Sequence, residues 1–237
     1  IVDSLEKLTL KIIFPQDILR QINIDFEIEL AKIKDEEACL SLVVGFQNNV
    51  PRFLHGSFAE YLTARYLSRN IHNFKDTIIR NIIFGARYDN VRFFFDMLLA
   101  KNSIAHIAVL YKDYESLRTY DDEILKRKDQ GARTVLHLLS SWGQRHPRLK
   151  QRVINENNTI VYELGSFDTK PESEEYFKTV TFLTDKNDID EHDKLLNLPP
   201  LFYAVKSESL GAELKLLQIK KNQLNQLWAS TDLINIL

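Results

Sequence analysis

Six histidines, one cysteine and two short acidic runs are the side chains of this 237-residue chain best suited to chemistry. Their spacing narrows what that chemistry is. A metal centre needs ligands clustered in sequence or brought together in pairs, and six scattered histidines with the single Cys39 offer no such spacing. The runs Asp121-Asp122-Glu123 and Glu172-Ser173-Glu174-Glu175 fall in turn-like or helix-start settings, where a solvated face is the ordinary reading. The sequence has no G-x-x-x-x-G-K-[ST] phosphate loop, no G-x-G-x-x-G, no G-x-S-x-G and no H-E-x-x-H. The expectation is therefore a chain with no catalytic residue, no metal and no cofactor of its own. Three histidines still stand out: His55 where a strand pattern gives way to a helix pattern, and His106 and His137, 31 residues apart in similar surroundings.

The elements that position His55 can be read from the residues around it. Leu40, Leu42, Val43 and Val44 make a short apolar, β-branched run, and Gln47-Asn48-Asn49 is turn chemistry, so a hairpin is predicted with Phe53 and Leu54 on its returning strand. Gly56 permits a bend. Ser57 with Glu60 three residues on then predicts a capping box at a helix start. Behind it Phe58, Tyr61, Leu62, Ala64, Tyr66 and Leu67 recur at helical spacing. Phe58, Tyr61, Leu62 and Tyr66 are expected to be buried, with a loss of about 3–5 kcal/mol for Phe58→Ala. For His55 itself two readings stand: a ring that ties local backbone groups, or a ring that serves a ligand outside this segment.

The order Phe53-Leu54-His55-Gly56-Ser57-Phe58-Ala59-Glu60-Tyr61 resembles the form F-x-H-x-[ST]-F-x-E-[YF] found where the winged-helix domain of NACHT-type NTPases passes into a helical domain. NOD-like receptors are the familiar members. The motif fixes a histidine, a capping serine, a glutamate and three aromatics in register, and the looser likeness extends over roughly the first hundred residues. The resemblance implies that His55 senses nucleotide phosphate, touching bound ADP and holding a closed resting state. It also implies that Phe53, Ser57, Phe58, Glu60 and Tyr61 are structural. ADP or ATP, the phosphate loop and the ATPase activity would then belong to an NTPase domain upstream of Ile1.

Composition agrees with a mainly α chain: 7 Gly and 6 Pro are few, and 44% hydrophobic residues suffice for two packed pieces. A net charge of −2, with acids and bases intermixed, provides no basic field, so nucleic acid is not expected as a partner. The predicted third helix carries Glu27, Glu29, Asp35, Glu36 and Glu37 beside Lys32 and Lys34, the opposite of a DNA-reading balance. Cys39 reads as a buried small residue in a reducing compartment, and the absence of a membrane-length apolar segment adds to a cytoplasmic expectation with no membrane partner. The chain opens without methionine and ends on Leu233, Ile234, Ile236 and Leu237, so it is expected to be a piece of a longer protein. The triplet Asn157-Asn158-Thr159 is a chance sequon in such a chain.

In order, Ser4–Phe14 predicts a helix with Leu5, Leu8, Ile12 and Ile13 inward, stopped by Pro15. A short helix follows from Asp17, and another from about Phe26. Helical patterns recur over Phe74–Phe84 and Tyr88–Leu99, the second carrying Phe93, Phe94 and Phe95 as core packing. The second half holds a weak repeat near the ankyrin period of about 33 residues. Thr134-Val135-Leu136-His137 resembles the T-P-L-H entry. Ser103-Ile104-Ala105-His106 and Pro199-Pro200-Leu201-Phe202 are looser copies. Residues 144–173 read as an insertion or a degenerate repeat, with Thr159-Ile160-Val161-Tyr162 apolar inside it. Glu174–Leu183 predicts a helix, Thr184–Asp193 a charged loop, and two last helices run from Leu210 to Ile219 and from Gln223 onward.

The expected architecture is winged-helix-like over 1–56, a helical connector over 57–100 and ankyrin-like helical repeats over 101–237. The expected function is a non-catalytic regulatory and protein-interaction region of a cytosolic NACHT-type signalling ATPase, coupling nucleotide state to sensing or oligomerisation in innate-immune-like signalling. Its partners would be proteins bound by the repeats, the upstream NTPase domain, and copies of itself when active. The alternative is an ankyrin-type interaction scaffold without nucleotide coupling.

Overall fold

The computed structural model describes residues 2–34, 42–154, 159–169 and 172–234. The protein is mainly α-helical, with two-stranded sheets as its only described β structure. It divides into two compact units, Ile1–Leu99 with Arg148–Ser166 and Ala100–Pro147 with Phe167–Leu237. Cys39, the acids Asp35, Glu36 and Glu37, Leu40 and the Asn157-Asn158 pair lie outside the described residues.

The first unit begins with α1 (Val2–Ile13), α2 (Gln16–Leu19) and α3 (Phe26–Lys34), followed by a hairpin of β1 (Val43–Gln47) and β2 (Val50–Phe53). Asp25 caps α3 by accepting from the backbone of Glu27 and Ile28 at 3.1 and 3.2 Å. The hairpin turn is two residues long, because Gln47 pairs with Val50. Asn48 and Asn49 both take positive φ, 50° and 59°, the mirror-image turn whose twist matches paired strands and which asparagine tolerates. A bulge between Val43 and Gly45 is accommodated by Gly45 at φ 149°.

Next come α4 (Gly56–Arg69), α5 (Ile71–Phe74) and α6 (Asp89–Ala100). The stretch 74–84 forms no long helix: after α5 the chain makes a single π-helical segment, Lys75–Ile79, and then turns. Its isoleucines are still used, since Ile78, Ile79 and Ile83 are buried. In α6 Phe93 and Phe95 are buried and Phe94 stacks edge-on against Tyr61 at 5.6 Å, so the phenylalanine stripe is core packing.

Leu5, Leu8, Leu30, Ile33 and Leu62 form one core cluster, with Phe26, Val43, Phe53 and Tyr61 packed on it. Each such leucine contributes about 1.5–3 kcal/mol by leaving water. The inward face of α1 is rotated from the one its pattern predicts. Ile12 is exposed, while Leu10 and the charged Glu6 are buried. The reason lies on α4, where Arg65 and Arg69, one helical turn apart, reach the Glu6 carboxylate at 3.1 and 3.2 Å. Burial raises the Glu6 pKa even against those two guanidinium groups.

The second unit holds α7 (Ile104–Leu110), α8 (Tyr114–Thr119), α9 (Asp122–Lys126) and α10 (Val135–Trp142). The chain then makes β3 (Arg145–Ile154) and β4 (Thr159–Thr169), of which 148–166 group with the first unit, and α11 (Glu174–Thr184), α12 (Pro200–Lys206) and α13 (Leu210–Ile234) complete the second. The stretch 144–173, expected as an insertion or a degenerate repeat, instead contains the two-stranded β3–β4 sheet. The two terminal helices read from the sequence are one, because nothing between Ile219 and Gln223 breaks a helix. Helices α7, α10 and α12 pack in series, and α11 packs on both α8 and α13. Lys112, at φ 61° between α7 and α8, donates to the carbonyls of Trp142 and Gly143 at the end of α10, where the helix dipole favours a cation.

Candidate functional site

His55 ends the hairpin and stands at the N-cap of α4 with extended backbone, φ −134° and ψ 140°. The helix starts at Gly56, one residue before Ser57, so the predicted Ser57–Glu60 capping box does not form. Glu60 instead accepts both of its hydrogen bonds from the Asn90 side-chain amide of α6, at 2.9 and 3.0 Å. Burial raises the Glu60 pKa, opposed by that amide. Once Gly56 is helical, Glu60 lies on the α6 side of α4 rather than back over the helix start, and tertiary contact outranks the local cap.

The other motif residues anchor the segment. Phe53 and Tyr61 are half-buried against the Leu5–Leu62 cluster, and Leu62 and Tyr66 are buried as expected. Phe58, like Tyr61, is only half-buried, correcting the expectation that both rings are enclosed. Phe58 meets His55 edge-on, with ring centroids 6.4 Å apart. His55 itself is exposed and supplies no side-chain cap bond to α4. Beside it runs an open groove of about 400 Å³ lined by Ile12, Val50, Pro51, Phe53, Arg52 and Gly56 among others. An exposed histidine, the exposed Arg52 and the N-terminal end of a 14-residue helix lie close together along the chain. All three favour negative charge.

His106 and His137 do something different. Each is wholly buried. The His106 Nε2–H donates to the Arg133 carbonyl at 3.1 Å while Nδ1 accepts from the Ser103 hydroxyl at 2.7 Å. The His137 Nε2–H donates to the Leu198 carbonyl at 3.1 Å while Nδ1 accepts from the Thr134 backbone N–H at 3.1 Å. Arg133 and Leu198 occupy equivalent places, each just before the next entry residue, Thr134 or Pro199. Each histidine therefore closes its own helix start and ties it to the next unit. Both nitrogens of each ring are committed, which explains the two histidines without a metal.

The loops leading into these entries are also alike. Asp129 accepts from the backbone of Gly131 and Arg133 at 2.8 and 2.9 Å and holds the buried Arg133 guanidinium at 2.7 Å. Asp193 accepts from the backbone of Leu196 and Leu198 at 2.5 and 3.3 Å. The Gly131 carbonyl takes the N–H groups of Lys194 and Leu195, stacking one loop on the other. A Cβ on Gly131 would come within 3.1 Å of Leu195 Cβ, so glycine permits that approach. The sequence pointed to the histidines and to Asp129-Gln130-Gly131 as a turn, but not to Arg133, Asp193 or Asn90 or to the hold of Asp129 on Arg133. An aspartate five residues before Thr134 and six before Pro199 was the available signal for Asp129 and Asp193.

No family model, curated protein or solved structure matches this chain. Among the described residues no helix is long and apolar enough to cross a membrane.

Proposed function

We propose that this chain is a regulatory and protein-interaction region of a cytoplasmic NACHT-type signalling ATPase, without catalytic residues of its own. The observation that carries the reading is the placement of His55, an exposed ring at the junction of the hairpin and α4. His106 and His137 are wholly buried between the helix starts, whereas His55 stands at the N-cap of α4 with its ring exposed, on a segment that Phe53, Tyr61 and Leu62 anchor to the core. The order of three helices, hairpin and helix supports a winged-helix-like assignment for the first unit, and the tied helix starts support ankyrin-like stacking in the second.

In the mechanism this reading implies, His55 contacts a nucleotide phosphate held by an upstream NTPase domain, and loss of the contact releases the repeats for their protein partners. The test uses the intact protein. His55→Leu is expected to leave the melting temperature of the present chain nearly unchanged and to speed ADP release about tenfold or more, from a charge-assisted hydrogen bond of roughly 1.5–3 kcal/mol. Unaltered ADP release, or an upstream sequence lacking a phosphate loop, would favour a scaffold without nucleotide coupling. The tied helix starts of the second unit favour that scaffold equally.

A further inference from the structure

Helix α13 exposes a row of leucines that its position in the fold does not explain. Leu210, Leu214, Leu217 and Leu224 are 59%, 59%, 43% and 48% exposed. Their spacing of four, three and seven residues puts them on one stripe, with the exposed Lys221 in the remaining place. That is an a/d seam of a two-helix coiled coil carrying one lysine within it.

Helix α11 provides the comparison. Ser173 and Ser209 each stand just before their helix, and the buried faces then coincide, Tyr176 with Ala212 and Val180 with Leu216. In that register Leu210, Leu214 and Leu217 fall where α11 has Glu174, Lys178 and Thr181, all exposed. Helix α13 packs on α11, with Phe177 close to Gly211, and those three polar residues remain in solvent. A further helix pair stacked on α12 and α13 in the same way would therefore leave the leucine stripe uncovered. The stripe calls for an occupant other than a further repeat.

Charge indicates which. Along the stripe Lys220 and Lys221 outnumber Glu213, with Gln218 and Asn225 as the other flanking residues. Lys220 already contacts Asp190, and Lys221 sits between Leu217 and Leu224. A second copy would add its own lysines to the same seam, whereas an acidic helix would meet them favourably. We propose that the leucine stripe of α13 is a docking seam for an amphipathic helix with apolar residues at heptad spacing and glutamate or aspartate beside them. The proposal does not depend on nucleotide coupling and stands if the NTPase reading fails.

The probe is a labelled peptide of about four heptads with leucine at a and d and glutamate at e and g, which keeps it from pairing with itself. A matched peptide with lysine at e and g is the control, and binding to the whole chain is followed by fluorescence anisotropy. The acidic peptide should bind at least about tenfold tighter than the basic one. The double variant Leu214→Lys with Leu217→Thr, which installs the residues α11 carries, should weaken it about tenfold or more without changing the melting curve. Lys221→Glu should reverse the preference. Equal binding of the two peptides, no binding of either, or binding indifferent to the double variant would overturn the proposal. So would sedimentation showing self-association that the double variant abolishes, because the occupant would then be a second copy.

Discussion

Acidification should weaken the second unit through His137 before its carboxylates are protonated. In the folded protein burial is the largest influence on this ring and outweighs the attraction of Asp193, whose Oδ2 lies 4.0 Å from Nε2, lowering the pKa from 6.5 to about 4. The Leu198 carbonyl and Asp129 also favour the proton, and Arg133 disfavours it. The hydrogen bonds give the same sign. Nδ1 accepts from the Thr134 N–H at 3.1 Å, and a proton placed there would set two donors against each other. Above pH 6.5 the ring is neutral in both states and no stability is lost. Between 6.5 and about 4 the unfolded chain takes up the proton and the folded one does not. Stability then falls by about 1.4 kcal/mol per pH unit, reaching about 3 kcal/mol near pH 4.

Other groups titrate nearby with separable signs. Burial raises the Glu6 and Glu60 pKa values above 4.5, so the folded state takes up these protons first and stability gains as pH falls through them. Burial pushes Glu29 up, but hydrogen bonds from Ser4, Lys7 and Lys32 outweigh it and hold the group at about 2, so its loss falls between pH 4.5 and 2. Asp129 is lowered by Arg133 despite burial, and its loss comes below pH 3.8. Comparison with His137→Gln cancels all of these. Urea unfolding at intervals from pH 7 to 4 should give the wild type a steeper loss than the variant, by about 3 kcal/mol over the range. An NMR titration placing the folded His137 pKa at 6 or above would refute the reasoning, as would parallel pH profiles.

Four further substitutions test the packing. Leu62→Ala should cost about 2–5 kcal/mol in chemical denaturation, because the side chain is 5% exposed within the first unit's core cluster. Half-buried Phe58→Ala should cost less than the 3–5 kcal/mol of an enclosed ring, roughly 1–3 kcal/mol, and a loss above about 4 would show the ring to be fully enclosed. Asn90→Ala removes both hydrogen bonds to Glu60 and should cost about 1–3 kcal/mol at pH 7, with the loss shrinking in acid as Glu60 is neutralised. Gly143→Ala would bring a Cβ against Ser209 Oγ and within 2.9 Å of Tyr176 Oη, so a thermal melt should show about 1–3 kcal/mol of destabilisation.

Local chemistry alone determined much of this protein. Gln47-Asn48-Asn49 specified a two-residue turn because asparagine tolerates the positive φ that such hairpins require. Pro15 marked the end of α1, and scarce glycine and proline with helical periodicity indicated a mainly α fold. Leu62 and Tyr66 were legible as core because their spacing leaves only one face to bury. The tertiary structure decided what depends on a partner distant in sequence. It turned Glu60 to Asn90 instead of a cap, drew Glu6 inward to Arg65 and Arg69, and committed His106 and His137 to carbonyls 27 and 61 residues away. The apolar residues of α13 were visible from the start. Which of them lie inside could not be read from periodicity, because leucines occur on more than one side of that helix. Packing against α11 and α12 buries Ala212 and Leu216 and leaves Leu210, Leu214 and Leu217 in water.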